Sequence, residues 1–585
     1  MGAFHPLVPL SSKRWEVKSI RSPVPPAIVS RLRGLCSSPV MAQILYNRGL
    51  TDPDLARAFL RGETPLSDPF LLKEMPEAVA RIREALRRGE PIAIYGDFDA
   101  DGVTATALLV QALQRLGGRV QPYIPDRADE GYGLNEKALD KLAAQGVRLV
   151  ITVDSGIRSV DEARHAARLG LDLIVTDHHY PGAVMPEALA VINPKRADCA
   201  YPFKELAGVG LAFKLAQALL QAERQEPTLA REVPPAWEEN LLDLVALGTV
   251  ADIVPLQGEN RTLVRRGLAQ INEAQRPGVR ALLERAGLTP GQVNAERIAY
   301  VLGPRLNAAG RLRSAMIAYE LLNAPDLSAA EPLAKQLNDL NEERQRLTQQ
   351  ALEEAKRQIE ESPPQGPVLF AEGEGFQAGI VGLVAGRLTE DYYRPAVVME
   401  RGPQTTRGSA RSIPEFHITA ALDECRDLLV KYGGHAAAAG FTVRNDDVPA
   451  LKERLQSLAA QCLKEHELVP TLLVDAEVRL ADLNENLQRD LARLEPCGYD
   501  NPAPILCVRG VKVVNVRTNR SDGKHLILTL TDGWWTWDAI AFHRAHWQSH
   551  LTPPMDVDVA FMLEMSEWNG ERRLRLNVQD CRRAA

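Results

Sequence analysis

IAIYGDFDADGVTATALL, residues 92–109, decides the fold. An apolar start (Ile92, Ala93, Ile94, Tyr95) breaks at Gly96, three aspartates follow at alternate positions (Asp97, Asp99, Asp101), and the pattern turns helical from Val103. This is a strand, a tight acidic turn and a helix. In open parallel sheets the crevice beyond the carboxyl ends of the strands is where ligands bind, and carboxylates crowded there repel one another and raise each other's pKa. A divalent cation relieves that repulsion. The competing readings are a solvated acidic loop and a calcium loop. An EF-hand needs further oxygen ligands and a closing Glu between two helices, whereas Gly102 is followed by VTATALL.

Working outward, MPEAVARIREALRRGEP is an amphipathic helix leading into this strand. GGRVQPYIPDR gives a second strand ending at Asp126 and Arg127, and VRLVITVDSG a third, buried on both faces and ending at Asp154. After the helix VDEARHAARLG, LDLIVTDHH ends at Asp177, His178 and His179. Strands alternating with helices imply a parallel sheet, which brings Asp154 and His178 to the edge that carries Asp97, Asp99 and Asp101. ENLLDLVALGTVADIVPL is a helix-like run breaking at Gly248, with Asp252 as either a helix cap or a ligand. GPRLNAAGRL reads as a Gly-punctuated loop carrying Arg305 and Arg311.

The ends of the chain differ in texture. Residues 1–75 read as a small helical leader packed on the first domain. From Ser328, with Glu331 as a capping box, an amphipathic helix runs to Ser362, where Pro363 and Pro364 stop it. At 1.5 Å per residue it spans roughly 50 Å, the length of a spacer joining two halves. A second α/β unit follows, containing GSARS (Gly408 to Ser412) and YGGHAAAAGFTV (Tyr432 to Val443). There Gly433, Gly434 and His435 offer amides and an imidazole to a phosphate, or the alanines form a tight helix contact. Beyond Thr471 short alternating strands, with turn signals at 521–523, 532–533 and 569–570, indicate a small barrel. Arg509, Lys512, Arg517, Arg520 and Lys524 beside Trp534, Trp535 and Trp537 suit single-stranded nucleic acid, with at least one tryptophan expected in the core. The expected domains are a leader (1–75), a catalytic α/β domain (76–325), a connecting helix (326–362), a second α/β domain (363–465) and the barrel (466–585).

With 585 residues the chain exceeds what one core supports. No apolar run is long enough to span a membrane, and the N-terminus lacks the apolar core of a signal peptide, so a cytoplasmic location is expected. Seven scattered cysteines without a CxxC pair suggest neither disulfides nor a thiolate zinc site; they are expected to be buried small apolar residues. A net charge of −7 means that any nucleic-acid partner needs a local basic groove.

Asp97, Asp99, Asp101, Asp154, His178 and Asp252 are hard oxygen ligands plus one imidazole, a set that suits Mn²⁺ or Mg²⁺ better than structural zinc. Their number suits two ions sharing a carboxylate, the arrangement that hydrolyses phosphate esters by in-line displacement.

DFDADG (97–102), VDSG (153–156), TDHH (176–179) and TVADIVPL (249–256) resemble, in order, the motifs of the DHH phosphoesterase superfamily; GPRLNAAGR, GSARS and GGHAAAAG resemble its RecJ branch and the DHH-associated domain. The resemblance implies a single-strand-specific DNA exonuclease working 5′ to 3′ in DNA repair and recombination. The implied fold is two α/β lobes joined by a long helix around a channel for one strand, followed by an OB-fold. It implies that Asp99 and Asp154, with Asp97 nearby, hold one ion, and that Asp101, Asp154, His178 and Asp252 hold the other. His179 would act at the scissile phosphate with Asp177 orienting a histidine. Arg127, Arg305, Arg311, Ser409, Arg411, Gly434 and His435 would contact the substrate, with Arg127, Arg311, Ser409 and Arg411 near a 5′-terminal phosphate and the adjacent backbone. Implied partners are single-stranded DNA, a single-strand-binding protein and a helicase, with the enzyme a monomer. One departure is visible: where PFG-x-GNP is expected the chain reads Pro496, Cys497, Gly498, Tyr499, Asp500, Asn501, Pro502. The change at 500 is expected to bear on the turn leading into the barrel and not on the metal site. Rival readings are a DHH enzyme for short oligonucleotides or cyclic dinucleotides, and a non-catalytic single-strand-binding scaffold.

Overall fold

In the computed structural model, which describes residues 10–11, 13–127, 130–131, 133–228, 234, 236–362, 366–519, 523–568 and 571–584, the apolar runs of the first α/β segment form a five-stranded, wholly parallel sheet. Its order is Arg119–Tyr123, Pro91–Tyr95, Leu149–Val153, Asp172–Thr176, Ala190–Ile192. The strands after the edge strand are largely apolar because both faces are covered, whereas the edge strand Arg119–Tyr123 (RVQPY) is partly exposed along its length. Ile92 and Ile94 pack into the core made with helices Ala100–Arg115 and Gly208–Gln225, while Ala93 and Tyr95 face helices Glu136–Ala144 and Val160–Arg168. Pro91–Tyr95, the first of these five along the chain, has its two successors on opposite sides. Its end and the end of Leu149–Val153 therefore flank the point where strand order reverses, the binding crevice of such sheets.

The chain divides into two compact units, Ala58–Glu343 with Leu494–Ala503, and Met1–Arg57 with Arg344–Arg493 and Pro504–Ala585. The division falls inside the helix Leu327–Glu361, 35 residues long. Its N-terminal cap is Asp326, which accepts the Ala329 N–H at 2.9 Å, and not the Ser328–Glu331 box; Ser328 already lies inside the first turn. Pro363 and Pro364 lie outside the described residues.

Within the second unit, Leu369–Gly373, Ala396–Arg401, Thr405–Arg411, Leu429–Gly434 and Ala438–Arg444 form a mixed sheet. The YGGHAAAAG stretch is thus a β-hairpin, with Gly433 opposite Gly440, and not a helix contact. The C-terminal strands Leu506–Thr518, Leu526–Thr531, Thr536–Ala541, Met555–Trp568 and Glu571–Arg583 close into a five-stranded barrel. The expected leader divides: residues 58–75 pack in the catalytic unit, where Leu72 and Met75 join its core, while residues up to 57 belong to this unit, where Arg14–Val17 pairs in parallel with Thr471–Val474 and Trp15 and Val17 join Val474, Cys507 and Ala560 in a small core. Alternation in RWEV carries that strand, and the Trp15 indole N–H donates to Asp580 at 2.7 Å.

Four of the cysteines are buried, but Cys36 and Cys497 are half-buried and Cys462 is exposed. Arg520 and the turn residues 521, 522, 569 and 570 lie outside the described residues. Among the described residues no helix is long and apolar enough to cross a membrane.

Candidate metal centre and strand-binding groove

Asp99 caps the helix Ala100–Arg115, its carboxylate accepting the N–H groups of Asp101 and Gly102 at 3.0 Å. The cap aims Asp101 backwards, where both of its oxygens accept N–H groups from the first turn of Gly208–Gln225: Gly208 at 2.7 Å and Val209 at 2.8 Å. Gly102 packs on the Asp97 backbone, where an added Cβ would lie 2.6 Å from the Asp97 nitrogen and oxygen. Asp154, one residue past the strand Leu149–Val153, has φ +60°, a left-handed conformation that costs an L-residue energy and persists where the surroundings impose it.

The result is a buried cluster. Asp97, Asp99 and Asp154 can share an ion, as can Asp101, His178 and Asp252, and Asp154, His178 and His179 form a third such group, each with ligand atoms within 4.8 Å of one another. The His178 Nε2 lies 3.1 Å from Asp154, 3.5 Å from Asp252 and 4.0 Å from Asp101. Among the described residues neither this nitrogen nor the Asp154 Oδ1 finds an aligned hydrogen-bond partner. Unpartnered polar atoms at such depth are costly, and these hard donor sets around Asp154 fit Mn²⁺ or Mg²⁺.

Electrostatics agree. Burial first, and the neighbouring carboxylates second, push Asp97, Asp154 and Asp252 well above the ordinary carboxylate range and Asp101 up to about 7. Burial, with His179 beside it, lowers His178 to about 3, so it is the neutral imidazole a metal requires. His179 moves the other way: burial would lower it, but the Asp177 carboxylate at 2.7 Å from Nδ1 raises it. Asp177 is itself fixed by the Ile157 N–H at 2.9 Å.

Asp252 occupies the C-terminal cap position of Leu242–Ala251. A carboxylate there opposes the helix dipole, so capping does not account for it. That helix also runs through Gly248 instead of breaking. The glycine is there for close packing, because a Cβ would meet Thr104 Oγ1 at 2.3 Å and Asp101 Oδ1 at 2.9 Å. GPRLNAAGRL is likewise a helix, Gly303–Leu312, and not a loop. Pro304 sits in its first turn, where no N–H is needed. Gly310 permits contact with the Phe98 carbonyl, 2.2 Å from where its Cβ would be. Arg311 falls in its last turn, and Arg305 bonds to the Val301 carbonyl at 2.7 Å and to Asn338 at 3.2 Å. The same helix supplies Asn307, missed in the sequence, whose Oδ1 accepts the Ala100 N–H at 2.8 Å and so steadies the acidic turn. The strand Arg119–Tyr123 stops before Pro125, and Arg127 lies beyond it, its guanidinium 4.9 Å from the Phe98 ring.

In the second unit, Ser409 and Arg411 share one face of Thr405–Arg411, and the Arg411 Nη1 donates to Ser409 Oγ at 3.2 Å. Gly382, on the helix Ala378–Tyr392, leaves room for both side chains, 3.1 Å from its absent Cβ. Gly434 ends the strand Leu429–Gly434, which Ala438–Arg444 separates from Thr405–Arg411, and His435 follows it, its N–H bonding the Ala438 carbonyl at 2.8 Å.

On the barrel, a groove of about 490 Å³ is lined by Trp535, Trp537, Arg573 and Arg575 among others. None of the three tryptophans is in the core: Trp534 is 93% exposed, Trp535 53%, and Trp537 half-buried. Along Thr536–Ala541 the last three residues are buried, while Trp537 near its start and Trp534 and Trp535 before it stay on the rim. The cations lining this groove are Arg573 and Arg575; Arg509, which pairs with Glu477 at 2.7 Å, and Lys512, Arg517 and Lys524 do not line it.

Three family descriptions match the chain in order: the DHH family N-terminal domain over residues 91–249, the DHHA1 domain over 365–465 and the RecJ OB domain over 474–580. The chain is 38% identical over 576 residues to the single-stranded-DNA-specific exonuclease RecJ of Bacillus subtilis, covering 98% of this chain and 71% of that protein. It is 33% identical to the protein of the same name from Escherichia coli, covering 93% and 95%. The structure superposes on the crystal structure of RecJ in complex with Mn²⁺ from Thermus thermophilus with a TM-score of 0.83, 32% identity, and coverage of 98% of this chain and 80% of that one.

Proposed function

The chain belongs to the RecJ family of single-stranded-DNA-specific exonucleases, and on that premise we propose that it removes mononucleotides from the 5′ end of single-stranded DNA with two Mn²⁺ or Mg²⁺ ions. The observation that carries this is the buried Asp154, which shares one donor triad with Asp97 and Asp99, lies 3.1 Å from His178 of the other, and has an Oδ1 unpartnered among the described residues. We assign one ion to Asp97, Asp99 and Asp154 and the other to Asp101, Asp154, His178 and Asp252. When bound, such ions activate a water and neutralise the charge that develops at phosphorus.

The chain's own residues do the rest. Asp177 holds the His179 ring and favours its protonated form, placing positive charge where a phosphate oxygen gains negative charge. Arg127 and Arg311 are assigned to phosphate oxygens, which guanidinium groups grip bidentately, and Ser409, Arg411, Gly434 and His435 to the adjoining backbone. Arg305, held by its bonds to Val301 and Asn338, is assigned to the substrate as well, two bonds leaving further guanidinium donors. Trp535 and Trp537 stack on bases while Arg573 and Arg575 track the backbone, a combination tolerant of sequence. The enzyme is proposed to act as a cytoplasmic monomer in DNA repair and recombination, on strands opened by a helicase and held by a single-strand-binding protein, because its substrate exists only where duplex has been separated.

The test is digestion of single-stranded, duplex and RNA oligonucleotides labelled at either end, with Mn²⁺, Mg²⁺ or chelator. Early release of a labelled 5′ mononucleotide from single-stranded DNA alone, and only with metal, is expected. Cleavage confined to very short oligonucleotides or cyclic dinucleotides would overturn the assignment, as would strand binding without hydrolysis.

A further inference from the structure

The three members of the triad Asp101, His178 and Asp252 come from distant parts of the chain, and two loops bear on their placement. The segment 205–208 carries the Gly208 N–H that binds Asp101 at 2.7 Å. The segment 252–256 begins with Asp252 itself and passes through Ile253, a β-branched residue at φ +60°. A left-handed conformation is a genuine outlier for such a side chain and persists where neighbours over-determine it.

Both loops converge on one side chain. Asn260, fully buried in the first turn of Gly258–Glu273, donates from Nδ2 to the carbonyls of Glu205 and of Pro255, the latter at 3.1 Å. Carbonyls only accept, so the amide orientation is fixed. The helix that carries Asn260 is anchored independently. The Arg261 guanidinium, also fully buried, donates to the carbonyls of Phe59, Leu494, Glu495 and Pro496. The segment Leu494–Ala503 belongs to the catalytic unit. The Leu256 N–H bonds Tyr499 O at 2.9 Å and Gln257 Nε2 bonds Asp500 O at 2.7 Å. Asp500 sits at φ +57°, where a glycine would be unstrained.

We propose that Asn260 is a positioning residue that sets the spacing of the Asp101–His178–Asp252 metal site by tying the loop before Gly208 to the loop after Asp252. It touches no ligand; it fixes the two backbones that carry or support them. The inference rests on the two-ion reading above.

The test is Mn²⁺ binding to the metal-free full-length chain without DNA, followed by electron paramagnetic resonance and titration calorimetry. Wild type should bind two ions. Asn260→Ala should keep the affinity of one site and lose about 10–100-fold at the other, the usual cost of removing a supporting hydrogen bond near a metal ligand. Thr262→Val is the control. Thr262 lies on the same helix, is nearly as buried and donates to Thr64 O at 3.1 Å, away from both loops, so both affinities should stay at wild type. Should Asn260→Ala not fold, Asn260→Ser, which keeps one donor, is read by the same criterion. Unchanged affinities in the Asn260 variants, equal losses at both sites, or the same selective loss in Thr262→Val would each overturn the proposal. A wild type binding fewer than two ions would instead remove the two-ion reading beneath it.

Discussion

Replacing Gly208 by alanine tests the metal centre with a single methyl group. A Cβ at this position would lie 2.6 Å from Asp154 Cβ, 2.8 Å from its Cγ and 2.8 Å from Oδ1. Carbon contacts are optimal near ~3.5–4.0 Å, so roughly 1 Å of displacement is demanded. The atoms in the way belong to a short, fully buried side chain on a strained backbone, with little freedom to swing aside. Either Asp154 moves or the start of the Gly208–Gln225 helix does, and the latter pulls the Gly208 and Val209 amides away from Asp101. Both routes separate the ligands of the two triads. Overpacking of this kind costs about 1–3 kcal/mol of stability, which leaves a folded protein, whereas a misplacement of about 1 Å at a reacting centre costs on the order of 100-fold in rate. The assay is mononucleotide release at saturating single-stranded DNA and Mn²⁺, alongside the melting temperature and strand affinity in chelator. A fall in kcat of about 100-fold with strand affinity intact is expected. A kcat within about threefold of wild type would refute the argument that Asp154 and the 208–209 amides are held in contact.

Other perturbations follow from the same geometry. Because the folded-state pKa of Asp101 is raised to about 7, and those of Asp97, Asp154 and Asp252 are raised in the same direction, the metal-free fold binds more protons than the unfolded chain. The stability these groups contribute is full below about pH 4 and is lost as pH rises through about 7; metal replaces the protons, so calorimetry should show a larger melting-temperature gain from saturating Mn²⁺ at about pH 8 than at about pH 6. A gain independent of pH would contradict it. Asp177→Asn should leave Mn²⁺ binding close to wild type but lower the His179 pKa and reduce kcat by about 10–100-fold, the loss growing towards alkaline pH; a flat, pH-independent loss would point to mere structural damage. Trp535→Ala and Trp537→Ala should each cost about 1–3 kcal/mol in affinity for a long single strand without slowing hydrolysis of a dinucleotide, measured by fluorescence anisotropy and product release. Equal losses on both substrates would argue against a remote stacking role.

The sequence by itself determined the chemistry and the local elements. Asp97, Asp99 and Asp101 follow an apolar run and precede a helix within a few residues, so strand, acidic turn and helix are all written locally, and the βαβ rhythm places Asp154 and His178 at the same edge without knowledge of strand order. Tertiary structure decided the order itself, which puts that edge at the crevice where the sheet reverses. It also decided what the glycines mean. Gly248 and Gly310 look like helix breakers along the chain, yet each marks a place where a neighbour comes too close for a side chain, a property that no local pattern encodes. Asp252 reads alone as a cap, and only its position at a helix C-terminus beside His178 shows that a cap has no use for its charge. The leader strand, Asn307, Asn260, Arg573 and Arg575 were illegible for the same reason: their partners lie tens to hundreds of residues away, and long-range pairing is fixed by the packing of the whole domain rather than by any local propensity.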